Sequence, residues 1–188
     1  MALRRGFKAE ANRIALGVRS RLKLGAVSPL DPWAVCEHFE IEVIRLSELA
    51  DPAGREVGSY FLRVEPEAFS AVTLEVACRR VIVHNDAHRP VRQRSNLAHE
   101  LAHCFLGHPL TPVLRGDGGR NRSAEVEEEA AFLGGAHLVT NEAAHHIVAS
   151  GLGATAAAVY GVSRDMLAYR LAVSGATIVA GRRAMRAS

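Results

Sequence analysis

Apolar residues recur at three- and four-residue steps from Phe7 through Ala11, Ile14, Val18 and Leu22, with Lys8, Glu10, Arg13 and Arg21 on other faces. That is the period of an amphipathic helix, and Gly25 follows as its stop. Ser28-Pro29-Leu30-Asp31-Pro32 reads as a turn, with Asp31 placed to cap a short helix and Pro32 suited to its first position. That helix runs from Trp33 to Phe39, and the pattern then turns β-like over Ile41 to Leu46. Past a loop at Asp51-Pro52-Ala53-Gly54, Val57 to Val64 and Ala71 to Ala77 collect β-formers on either side of Glu65-Pro66-Glu67, which predicts a hairpin. Arg79 to Val83 predicts a third short strand.

The period changes after His84-Asn85-Asp86. Val91 to Leu106 is helical, and Gly107-His108-Pro109 stops it. Thr111 to Arg122, with Pro112, Gly116, Gly118 and Gly119, reads as a flexible loop. Ser123 to Val139, Asn141 to Ser150, Thr155 to Tyr160 and Arg164 to Ser174 predict further helices. Strands early, helices late and no βαβ alternation give an α+β fold with a small antiparallel sheet.

The chain has 188 residues, 48% apolar and 23% charged, enough for one globular domain or one with a small appendage. The apolar run from Ala172 to Gly181 is broken by Ser174, Gly175 and Thr177, so no membrane span is expected. Arg4, Arg5 and Lys8 are not followed by an apolar stretch, so no signal peptide is expected. Cys36, Cys78 and Cys104 are odd in number and widely spaced, which excludes a disulfide framework and a zinc ribbon and points to reduced thiols in the cytoplasm. A formal charge of +3 is too small to call for nucleic acid. The nine histidines are the one compositional oddity.

Two of them carry chemistry. His99-Glu100-Leu101-Ala102-His103 is a His-Glu-x-x-His pattern. Helical residues four apart share a face, so both imidazoles can reach one ion at about 2.0–2.1 Å. Glu100, one step round, can take a proton from an attacking water and return it to a leaving amine. A catalytic zinc site wants a third protein donor and an open position. His108 falls five residues past His103, a spacing more natural for a helix C-terminus, where a cation or a carbonyl partner is welcome. The acidic run of Glu125, Glu127, Glu128 and Glu129 is the better source, and Glu127 lines up with Ala130, Ala131 and Gly134 along a small-residue groove where two helices can meet. The other three read as a solvated first turn favoured by the helix dipole. Asn96, one turn before His99 and Glu100, is placed to orient either of them; a plain surface amide is the alternative.

Arg92-Gln-Arg-Ser-Asn-Leu-Ala-His-Glu-Leu-Ala-His103 resembles the metallopeptidase helix of the ImmA/IrrE family, and Glu127-Glu128-Glu129-Ala130 resembles that family's next signature, Glu-x-x-Ala. The first helix, the Asp31-Pro-Trp-Ala-Val35 helix and Val162-Ser163 to Arg170-Leu171 also resemble it, so most of the chain is covered. Ser95-Asn96, Leu133-Gly134 and Thr140 depart from the usual residues, and none of them is a donor or the base. The resemblance implies a zincin-like core that binds Zn2+ through His99, His103 and Glu127, with Glu100 as general base. It implies a cytoplasmic endopeptidase that cleaves a protein partner, usually a helix-turn-helix transcriptional repressor, after a stress or mobile-element signal. Stress-response members carry a further C-terminal sensor domain, and none is expected within these 188 residues.

The expected division is a zincin-like metallopeptidase domain over residues 1–150 and a helical, helix-turn-helix-like extension packed on it over 151–188. A substrate strand is expected to pair with a sheet edge at Arg79 to Val83. His145, His146, Tyr160 and Tyr169 are candidates for stabilising the oxyanion. Two other readings use the same residues: a catalytically silent pseudo-peptidase that acts by binding, and a DNA-binding regulator using Thr155 to Leu167. The second helix of that pair offers few basic side chains beyond Arg164 and Arg170, so direct nucleic-acid binding is not expected.

Overall fold

In the computed structural model, which describes residues 3–49, 51–77, 79–109 and 123–187, the first apolar stripe forms helix α1 (Phe7–Arg21) and buries Phe7, Ala11, Ala15 and Val18. Pro32 opens α2 (Pro32–His38) as expected. Asp31 stands at its N-cap position, but the carboxylate makes no capping bond and accepts from Arg94 instead, Nη1 to Oδ1 at 3.1 Å. Strand β1 (Glu42–Arg45) follows.

The first departure comes next. Val57 to Val64 does not form a strand but lies in helix α3 (Pro52–Arg63) and its cap. Two local signals override the β-formers: Asp51 accepts from the Gly54 amide at 3.0 Å, and Pro52 sits at the first helical position. Val57, Tyr60 and Val64 then fall on helical spacing, which their apparent alternation concealed. A short 3-10 turn (Pro66–Ala68) leads into β2 (Ala71–Val76), which pairs antiparallel with β3 (Arg79–His84).

The sheet order is β1-β3-β2, with β1 parallel to β3 and Glu42 opposite Val81. The α+β class holds, and the sheet is mixed rather than wholly antiparallel. Because α3 intervenes after β1, the chain can return to run in the same direction as β1. The Arg79 to Val83 segment is therefore the central strand, not an edge. The edges are β1 and β2.

Helix α4 (Pro90–Leu106) is the hub, because three of its faces are apolar and each enters a different core. Leu97 and Leu101 pack with Ile82 of β3, Val35 and Cys36 of α2 and Val18 of α1. Ala102 meets α1 and α5 (Ala124–Leu138) through Phe7, Ala11, Ala130 and Leu133. Ala98 joins a third core built from α6 (Asn141–Ala149), α7 (Ala156–Tyr160), α8 (Arg164–Val173) and α9 (Ala176–Ala187). The expected loop over Thr111 to Arg122 and Cys78 lie outside the described residues.

α7 ends at Gly161 and Ser163 caps α8, accepting from the Met166 amide at 3.0 Å, so the helix-turn-helix-like pair is present. Arg170 of that pair is fully buried and donates from Nε to the Val139 carbonyl at 2.8 Å. α9 has no counterpart in the sequence reading; it starts after Gly175 and buries Ala176 in the α6–α8 core. Among the described residues, no helix is long and apolar enough to cross a membrane.

Candidate metal centre

Once Leu97, Ala98, Leu101 and Ala102 have been spent on the three cores, the remaining face of α4 carries Asn96, His99, Glu100 and His103. These four fall within about one third of the helix circumference at 100° per residue. His103 and Glu100 are buried and His99 is half-open.

Helix α5 brings the third donor. Ser123 caps it, its side chain accepting from the Val126 amide, and Glu127 sits in the first turn. Two turns on, Gly134 packs directly against α4. A Cβ built there would lie 3.1 Å from the Ala98 carbonyl oxygen and from the His99 backbone, so a larger residue would force the helices apart. The small-residue groove read from the sequence is this contact.

The consequence is convergence. His99 Nε2 lies 3.1 Å from Glu127 Oε2 and 3.1 Å from His103 Nε2, and His103 Nε2 lies 3.6 Å from Glu127 Oε1. Donors bound to one ion at 2.0–2.1 Å in a tetrahedron would stand about 3.3–3.4 Å apart. The spacing and the chemistry, two imidazoles and a carboxylate, therefore fit a divalent ion such as zinc, and His99, His103 and Glu127 form a group able to hold one. His103 is 1% exposed while the side chains of His99 and Glu127 are 28% and 39% exposed, so the site is closed below and open on one side. The Glu127 carboxyl is held well below the ordinary carboxylate range by its hydrogen bonds with His103 and His99.

Glu100 is not part of that triangle. Its Oε2 accepts from Thr73 Oγ1 of β2 at 2.8 Å, in the interior between α4 and the sheet. A cleft of about 240 Å³ opens beside it, lined by Ser70, Ala71, Asn96, His99 and Glu100. The edge strand β2 thus borders the site along its first residues. Asn96 does not reach Glu100 or the triad; its amide contacts His88 Nδ1 at 3.2 Å, and His88 Nε2 donates to the Pro66 carbonyl at 2.8 Å.

Several residues behave differently from their sequence reading. His108 turns back onto a proposed ligand: its Nδ1 lies 2.9 Å from Nδ1 of His103. Glu129 is not a solvated first-turn acid, since its side chain is 17% exposed and binds Arg4. Tyr160 donates its hydroxyl to the Val27 carbonyl at 2.7 Å, which commits it elsewhere than an oxyanion. Cys104 is half-buried, and burial raises its thiol pKa despite hydrogen bonding with Arg80 and Thr73. Thr73 was not visible as a site residue from sequence, because only the sheet brings it to α4.

No curated protein matches the sequence. Across the stretch that joins α2 to α8, and so across both helices bearing the triad, the outcome is different: the peptidase M78 family model, described as the IrrE N-terminal-like domain, matches residues 36–172, well over half of the chain, which therefore belongs to that family and carries a metallopeptidase-like domain.

Proposed function

We propose that the protein is a zinc-dependent endopeptidase of the cytoplasm whose substrate is a specific protein, in first place a helix-turn-helix transcriptional repressor. One observation carries the proposal: two imidazoles and a carboxylate converge within 4.8 Å beside a buried Glu100 that opens onto a cleft. Family membership supports the reaction class. The ImmA/IrrE resemblance supports the choice of repressor and a role in stress response or transcriptional regulation.

His99, His103 and Glu127 are the proposed ligands. A zinc ion held there supplies Lewis-acid polarisation of a peptide carbonyl and acidification of a water. Glu100 takes the proton of the attacking water and returns it to the leaving amine. Thr73 keeps one carboxylate oxygen of Glu100 in place. A substrate strand enters along β2, the edge next to the cleft, which replaces the Arg79 to Val83 edge expected from sequence. The same reading divides the chain into a peptidase domain over 1–150 and a helical extension over 151–188. DNA binding through the helix-turn-helix-like pair is disfavoured by the burial of Arg170, which removes one of the two basic side chains of α8 from the surface.

The experiment pairs zinc-loaded protein with a helix-turn-helix repressor encoded near it and follows the products by mass spectrometry. Cleavage at one defined bond, abolished by Glu100→Gln with zinc retained, is the expected result. Full cleavage by Glu100→Gln would refute the mechanism, and binding of the repressor without cleavage would favour the silent pseudo-peptidase.

A further inference from the structure

We propose that Glu129, acting through His108, is a positioning residue that orients His103 and strengthens its hold on the metal. The inference rests on the reading of His99, His103 and Glu127 as a metal site. It begins with the helix end. Gly107 adopts a left-handed conformation (φ 65°), and the His108 amide donates back to the His103 carbonyl at 3.1 Å. Glycine tolerates this without steric cost. The reversal folds His108 under the turn it has just left and brings the two Nδ1 atoms to 2.9 Å.

The proton count then fixes each ring. Nε2 of His103 faces Glu127 and His99 and must offer a lone pair to an ion. Its Nδ1 therefore carries the hydrogen and donates to Nδ1 of His108. That leaves Nε2 of His108 carrying a hydrogen, and the Glu129 carboxylate stands at ion-pair distance from it, Oε2 at 3.6 Å. Glu129 is held from its other side, where Oε1 accepts from Arg4 Nε at 2.7 Å, and Arg4 Nη1 binds Glu10 at 2.8 Å. The order is Arg4, Glu129, His108, His103, ion. His108 is 8% exposed and His103 1%, so water does not substitute for these contacts at the imidazole end. Ligating histidines usually hand their second hydrogen to a carboxylate or carbonyl. Here a second imidazole is interposed, and the chain starts at Arg4, outside the family-matched residues 36–172.

The test is a zinc-affinity measurement by competition with a chromogenic chelator, on the wild type, Glu129→Gln, His108→Leu and the double variant. Unfolding of the metal-free proteins in EDTA is followed alongside to establish that each one folds. Each single change is expected to weaken zinc binding by about 10- to 100-fold. The double variant should bind no more weakly than His108→Leu, because the two residues act in series. Wild-type affinity in Glu129→Gln, or losses that multiply in the double variant, would overturn the relay while leaving the metal site intact. A wild type that binds no zinc would overturn the metal site and the relay together.

Discussion

Thr73 Oγ1 donates to Glu100 Oε2 at 2.8 Å, joining the middle of the edge strand β2 to the carboxylate proposed as the general base. The pair is fully interior, with Thr73 2% and Glu100 3% exposed. One strand thus borders the cleft and fixes the angle of the carboxylate facing it.

Replacing Thr73 by Val keeps the shape and removes the donor. Cleavage should fall about 10- to 100-fold, as for misplaced catalytic groups in general, with zinc content unchanged. Thr73→Ser should keep most of the rate. Steady-state kinetics beside metal analysis checks this, and equal rates for Val and Thr would mean that Glu100 needs no such support.

His137 gives a pH dependence that is independent of the metal. Its ring is buried against Phe105, centroids 5.3 Å apart, and neither nitrogen has a hydrogen-bond partner among the described residues. Burial, aided by the Arg19 charge, lowers its pKa to about 3. The unfolded chain takes up this proton near pH 6.5 and the folded chain does not until about pH 3, so stability is intact above 6.5 and is lost as pH falls between those values. The loss is about 1.4 kcal/mol per pH unit. Denaturant unfolding in EDTA at pH 7.5 and 5.5 should show it, and His137→Phe should reduce the difference by about that amount.

Gly134 packs directly on α4, and the Cβ of an alanine there would sit 3.1 Å from backbone atoms of α4. Helix propensity favours alanine by up to about 1 kcal/mol, while overpacking costs about 1–3 kcal/mol. Gly134→Ala should therefore destabilise the fold modestly and weaken zinc binding, because α5 carries Glu127. A thermal melt and a zinc titration read the two effects separately, and a variant more stable than the wild type would show that the helices can part freely.

Arg170 donates to the Val139 carbonyl at 2.8 Å and to Asn141 Oδ1 at 3.0 Å, tying α8 to the α5–α6 junction. Burial lowers its guanidinium pKa to about 10. Arg170→Ala leaves both acceptors unpaired next to a cavity and should cost about 2–4 kcal/mol, measured by urea unfolding. A change below 0.5 kcal/mol would mean that α8 is held by its apolar contacts alone.

Local pattern made much of this legible. His99 and His103 are four apart on one helix, so their shared face follows from periodicity, and Glu127 is the carboxylate of the acidic run that lines up with Ala130, Ala131 and Gly134. What the sequence concealed depends on tertiary placement. Thr73 reaches Glu100 only through the sheet order, and His108 meets His103 only because Gly107 reverses the chain. Glu129 leaves the solvent because an N-terminal residue, Arg4, comes to meet it. The helix that stands where the pattern predicts a strand, over Val57 to Val64, has a local cause: Asp51 and Pro52 start it and the β-formers continue it.

The central claim is that His99, His103 and Glu127 hold one metal ion, and metal content by mass spectrometry tests it most directly. Purified wild-type protein and Glu100→Gln should each contain about one zinc per chain, and His103→Ala and Glu127→Ala should contain little or none. Wild-type protein that stays metal-free after zinc is supplied, or zinc that persists in both alanine variants, would contradict the account.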